Sequence, residues 1–239
     1  MIRKIAGKQR PLRVSFSGID GAGKSTQIEL LRARLLASGA NVQLVTFWDD
    51  VAVLTRFREK ATHTIFKGER GVGTPEQPVN RRDKNVRSWY MTGMRFGLYF
   101  LEAISLRVAA ARRREADVII FDRYLYDQLA NLPMQRFFTR LYARLLLKLV
   151  PTLDIAYLLD ADPDRARARK PEYPLEFLSA LRGAYAILSR IGKMTVVAPG
   201  SVEEVSDVVM QNFLQKCSRL EPKEWIAGMP VAGSSEQRA

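Results

Sequence analysis

The residues with the clearest chemical purpose are Gly18-Ile19-Asp20-Gly21-Ala22-Gly23-Lys24-Ser25-Thr26. They match G-x-x-x-x-G-K-[ST] at every fixed position. Gly18, Gly21 and Gly23 let the backbone curl, so that N–H groups along Asp20, Ala22 and the residues up to Thr26 can converge on phosphate oxygens. The start of the following helix adds a favourable dipole. Lys24 is placed to reach terminal phosphates, and the Ser25 hydroxyl to ligate Mg²⁺. The pattern therefore calls for ATP and Mg²⁺ as cofactors.

Such a loop needs an acidic partner for the metal or its water shell. Asp122 ends the apolar run Val118-Ile119-Ile120-Phe121, the form in which a strand delivers that carboxylate. A second cationic cluster follows Asp160, Asp162 and Asp164: Arg165, Arg167 and Arg169 with Lys170. On a helix Arg165 and Arg169 are one turn apart and share a face, so these two are the expected stabilisers of charge on a phosphoryl group in transfer. A helix face that balances its own acids in solvent is the competing explanation.

The elements that must hold these groups follow from patterning. Leu12–Ser17 reads as a strand running into the loop, and Lys24–Ala37 as a helix with Ile28, Leu31, Leu35 and Leu36 apolar and Gly39 as its stop. Further strands are expected at Asn41–Phe47, Val118–Phe121, Ile155–Leu159 and Thr195–Ala198. Helices are expected at Trp89–Glu115, Tyr126–Leu149 with an interruption near Pro133, Leu175–Ile191 and Val202–Leu220. Continuous apolar strands alternating with amphipathic helices predict an α/β fold on a parallel sheet covered on both faces.

The chain has 239 residues, 47% hydrophobic and 26% charged, as an ordinary globular protein does. No run approaches the ~20 apolar residues that span a bilayer. The basic start of the chain has no apolar signal core behind it, and the single Cys217 allows no internal disulfide, so a cytoplasmic protein is expected. The net charge of +13 suits nucleic acid, polyphosphates or a merely solvated surface, and by itself decides nothing.

The stretch FSGIDGAGKSTQIELL resembles the N-terminal signature of thymidylate kinases, with Asp and Gly inside the loop and Ser-Thr-Gln after the lysine. Asp122-Arg123-Tyr124 is similar to that family's DR-Y/H motif. Tyr157–Lys170 resembles the fourth strand and arginine-bearing lid of nucleoside monophosphate kinases, and TVVAPGSVEEVSDVV the last strand, adenine-side loop and final helix. The resemblance runs from Leu12 to Leu214 and implies a P-loop NTPase fold with a five-stranded parallel sheet and a short lid. It further implies one kinase domain over residues 1–217, with a basic insert about 56–87, the lid about 162–176 and a tail over 218–239.

In function, the resemblance implies transfer of the ATP γ-phosphate to a nucleoside monophosphate, with dTMP as the first candidate. It assigns Arg123 to the acceptor phosphate and Asp20 to the acceptor's sugar side, with Tyr124 beside them. Gly21, which some members replace by arginine, goes in that family with catalytic arginines in the lid. A small nucleotide acceptor is the implied partner, no membrane is involved, and a homodimer is common in the family.

Two positions depart from the family pattern. Phe47-Trp48-Asp49-Asp50 stands where the acceptor pocket is usually shaped by Arg-Glu-Pro or Phe-Pro, and Glu102 where an arginine is usual. Arg95, two turns upstream, is the candidate replacement. Asp49 and Asp50 have two readings, a metal or sugar contact or a local cap. The departures leave room for another phosphate, sugar or nucleic-acid acceptor, or for a non-catalytic ATP-binding regulator. The lid arginines argue against that last reading.

Overall fold

A computed structural model describes residues 10–52 and 89–218. The basic insert expected at 56–87 and the tail from residue 219 onward lie outside the described residues, as do residues 1–9. Five strands, β1 (Leu12–Ser17), β2 (Val42–Thr46), β3 (Val118–Asp122), β4 (Ile155–Leu159) and β5 (Thr195–Val197), form one sheet in the order β2-β3-β1-β4-β5. Every pairing is parallel. The apolar run of β3 occupies an interior position, with Val118, Ile119, Ile120 and Phe121 fully buried, because both faces of a parallel sheet are covered.

Among the described residues seven α-helices flank this sheet: α1 (Lys24–Ala37), α2 (Trp89–Arg112), α3 (Leu125–Leu129), α4 (Phe137–Leu149), α5 (Pro163–Arg169), α6 (Leu175–Gly192) and α7 (Val202–Cys217). On one face α1 and α7 supply Ile28, Leu31, Leu35, Val209 and Phe213 to a core with Val14, Phe16 and Tyr157. On the other face α2, α3, α4 and α6 contribute Tyr99, Leu106, Leu129, Leu146, Leu178 and Leu188 around Ile119, Phe121 and Leu158.

Most boundaries fall where patterning puts them, and the exceptions have local causes. The helix expected over Tyr126–Leu149 is two helices, with Pro133, which lacks an N–H and disfavours the helical conformation in the residue before it, in the gap between them. The break is closed by turns in which the N–H of Met134 donates to the Leu132 carbonyl (2.7 Å) and that of Arg136 to the Pro133 carbonyl (3.0 Å). After β2 the chain makes a π-helical turn, Phe47–Val51, closed by the Ala52 N–H on the Phe47 carbonyl at 2.8 Å.

The connection leaving β1 runs to one side of the sheet and that leaving β3 to the other. A crevice therefore opens at the carboxyl ends of these adjacent strands, where ligands of open α/β sheets bind. The register places Phe16 opposite Asp122 and Ser17 opposite Leu158. The loop after β1 and the Asp122-Arg123 turn thus emerge side by side.

Candidate active site

The loop from Gly18 to Ser25 is built by backbone conformations that side chains oppose. Gly18, Gly21 and Gly23 have φ of 148°, 86° and 85°. At two of them space is also closed. A Cβ on Gly18 would stand 2.5 Å from the Leu159 carbonyl oxygen at the end of β4, and one on Gly21 would stand 2.3 Å from the Ala166 carbonyl oxygen in α5. The short helix of the expected lid therefore packs its backbone directly against the loop. No arginine fits at position 21, so cationic groups must come from elsewhere.

Lys24 is buried in the turn of the loop, where Nζ donates to the carbonyls of Gly18 (2.7 Å) and Ile19 (2.8 Å). The Asp20 carboxylate is 3.9 Å away. Burial, followed by repulsion from Arg123, lowers the Lys24 pKa to about 8 against the pull of Asp20, Asp127 and Asp122. An ammonium left so poorly solvated suits a polyanion. Burial is also the main cause that raises the carboxyl of Asp122, partly countered by Arg123 and Lys24.

Arg123 has φ of 68°, in the left-handed region where a residue with a side chain is strained. Its guanidinium donates to Asp20 Oδ1 at 2.5 Å. Burial alone would lower its pKa, but Asp20 and Asp127 beside it more than offset this and hold it above the ordinary value.

Asp20, Lys24 and Arg123 line one cleft of about 420 Å³, together with the rest of Gly21–Gln27, Arg169 and Lys170 from the α5 end, and Gly200–Val202 before α7, whereas Asp122 stands beside Arg123 without lining it. The Gln27 amide ties α1 to that last segment, donating to the Val202 carbonyl at 2.9 Å. Helix α5 is started by Asp162, whose Oδ1 accepts from the N–H groups of Asp164 (3.0 Å) and Arg165 (3.1 Å), with Pro163 at its first position.

Several expected site residues lie elsewhere. Arg165 is exposed and does not line the cleft, because the last turn of α5, not its first, faces the loop. Tyr124 is corrected more sharply. Its ring is buried against Phe121 and Tyr126 and its hydroxyl donates to the Pro151 carbonyl, so its side chain belongs to the core and does not line the cleft. The strained turn at Arg123 sends these neighbours in different directions.

Arg95 lines a separate cavity of about 330 Å³ with Thr92, Asn131, Gln135, Arg136 and Phe177. Glu102 is fully buried within the helical layer. Asp50 serves its own turn, accepting from the Thr46 N–H (2.9 Å) and from Arg113 (2.5 Å).

Patterning gave no sign of Asp127. Its buried carboxylate accepts from Ser17, from the Tyr124 N–H and from Tyr185, beside the Arg123 turn. Lys170 was noted only as part of a charge run.

Sheet order, loop and crevice define the class: this is a P-loop NTPase fold. The chain matches no family model. A curated thymidylate kinase from Bifidobacterium longum is 28% identical over 190 residues, covering 74% of this chain and 84% of that protein. Among solved structures, the thymidylate kinase of Ehrlichia chaffeensis superposes with a TM-score of 0.53 at 18% identity, covering 86% of this chain and 99% of its own. That of Candida albicans gives 0.57 at 15% identity, covering 86% and 92%. The chain is thus similar to thymidylate kinases in sequence over most of its length and in fold.

Proposed function

We propose that the protein is an ATP-dependent nucleoside monophosphate kinase, with dTMP the first acceptor to test. The carrying observation is the single cleft in which Lys24, Arg123, Arg169 and Lys170 converge on a glycine-built phosphate loop. Phosphoryl transfer between two anions asks for that arrangement, because its catalysis is chiefly positioning and charge stabilisation.

When bound, MgATP supplies the phosphoryl group and a metal charge shared among its phosphates. The chain's share is to bind and orient. Backbone N–H groups of Gly21 to Ser25 and the Lys24 ammonium would hold the donor phosphates, and Ser25 with Asp122 would hold the metal or its water shell. Arg123 leaves Asp20 to take the acceptor phosphate, freeing the Asp20 carboxylate for the acceptor's sugar. Arg169 stabilises negative charge as the group moves.

The cavity at Arg95 is assigned to the acceptor's base. Its lining carries Arg95 and Arg136 as cations and the Gln135 amide, a group suited to a base edge. A homodimer is part of the same reading, since α2 carries exposed Phe100, Leu101, Ile104 and Val108 on one uncharged stripe with Gly93 and Gly97.

A coupled assay for ADP formation, run with MgATP and a panel of nucleoside monophosphates, tests the reading. Turnover that depends on one or more of them is expected, and none with any of them rejects it.

A further inference from the structure

Arg123 keeps an unfavourable backbone conformation and a buried guanidinium, and both must be held by something. A residue with a side chain in the left-handed region is strained and persists only where its surroundings over-determine it. The side chain that does so here belongs to Asp127, four residues further on. Its Oδ2 accepts from the Tyr124 N–H at 2.9 Å, the first backbone donor after the strained residue. The same oxygen accepts from Ser17 Oγ at 2.7 Å, on the last residue before the phosphate loop. The other oxygen accepts from the Tyr185 hydroxyl at 2.8 Å, on α6, the helix packed against α5.

The carboxylate and its partners Ser17 and Tyr185 are buried, so water cannot replace a lost bond cheaply. One side chain thereby joins the end of β1, the turn after β3 and the helix next to the lid segment. The first two lead into the donor loop and Arg123, and the third packs against α5, which carries Arg169. Asp127 also lends negative charge to Arg123 and Lys24 without lining the cleft.

The geometry points to Asp127 as the positioning residue of the site: through Ser17, the Tyr124 N–H and Tyr185 it fixes the Arg123 turn, and so the reach of the guanidinium toward the acceptor phosphate. This rests on the kinase reading for its consequence in catalysis, although not for its geometry. Asp127→Asn can still accept from Ser17 and the Tyr124 N–H while its amide nitrogen donates to the Tyr185 oxygen. Asp127→Ala can do neither.

The test is a double-mutant cycle of Asp127→Ala with Arg123→Ala, read as kcat and as KM for acceptor and for MgATP. Asp127→Ala is expected to lower kcat/KM for the acceptor by about 10- to 100-fold, the loss typical of a displaced positioning group, with the MgATP KM within about two-fold. In the Arg123→Ala background the same change should add less than about three-fold, and Asp127→Asn should recover most of the activity. Full additivity, or equal losses on the donor and acceptor sides, would overturn the assignment. If Asp127→Ala does not fold, Asp127→Ser, which keeps one acceptor for the Tyr124 N–H, carries the cycle.

The ¹⁵Nε–H signal of Arg123, assigned with Arg123→Lys, separates the two ideas. Loss or broadening of that signal in Asp127→Ala or Asp127→Ser supports the positioning role even if no nucleotide acceptor is ever turned over. An unchanged signal overturns it, even in an active kinase.

Discussion

Lys24 is a cation held in a place meant for a cation with a partner. Its pKa of about 8, against 10.5 for an ordinary lysine, means that between those values the unfolded chain binds more protons than the folded one. Its burial therefore costs stability below pH 8, and the cost disappears as pH rises toward 10.5. Donor phosphates reverse the effect by favouring the charged form, so MgATP binding at a pH just above 8 should take up a proton. Calorimetry in two buffers of different ionisation enthalpy should show it, and Lys24→Met should abolish the buffer dependence. Equal enthalpies in both buffers for the wild type would contradict the assignment of Lys24 to the phosphates. Gly21 makes a second prediction at this scale. Gly21→Ala adds a Cβ that would stand 2.3 Å from the Ala166 carbonyl oxygen, on a residue with φ of 86°. Helix α5 must then shift, and kcat should fall by about ten-fold or more, with a smaller change in MgATP KM. These residues were legible because each has a local reason: glycine where φ is positive, lysine at the turn, an acid where an apolar strand ends. Asp127 was not, because its partners lie 110 and 58 residues away and its own surroundings read as helix. Tyr124 was misplaced because a motif tells which residues are adjacent in sequence, while the strained turn decides which way each side chain points.

Among the elements, α5 has little support of its own. Seven residues are too few for a helix to persist alone, so its start depends on Asp162 and its position on the contact with Gly21. Asp162→Ala removes the cap at a cost of about 1 kcal/mol, enough to fray a helix this short. The expected result is a several-fold fall in kcat with MgATP KM nearly unchanged, because Arg169 and Lys170 at the far end lose their placement. A parallel loss in both constants would show that α5 binds ATP instead. The helix α6 behind it is fixed more firmly, since Arg182 donates from Nε (2.7 Å) and Nη2 (2.6 Å) to the two carboxylate oxygens of Asp160 at the end of β4. Strands and long helices were legible because period and apolar content agree with burial on a covered sheet. The split of the leucine-rich helix at Pro133 was legible only as an interruption, since proline announces a break but not its length. The π-helical turn at Phe47–Val51 had no sequence signal, because it depends on Asp50 reaching Arg113 across 63 residues.

At the scale of the whole molecule, α2 has one face in the core and another, with Phe100, Ile104 and Val108 exposed at 45, 46 and 43%, that nothing among the described residues explains as a surface. If two copies pair through that stripe, Ile104→Glu should shift the protein from dimer to monomer in sedimentation equilibrium. A wild type that is monomeric at assay concentrations would remove the dimer from the account. The sheet order and its crevice were within reach of the sequence, since alternating strands and helices leave few right-handed, unknotted topologies. The cavity proposed for the acceptor was not, because it is assembled from α2, the turn after α3 and α6, none of which marks itself as a pocket wall. The claim on which the rest depends is that the cleft moves phosphate from ATP to a nucleotide. It is tested most directly by following the γ-³²P label of ATP into dTMP and the other nucleoside monophosphates with resolved products, in wild type and in Lys24→Ala. The account predicts labelled nucleoside diphosphate from at least one acceptor and none with Lys24→Ala. Label released only as inorganic phosphate, or transfer that survives the loss of Lys24, would contradict it.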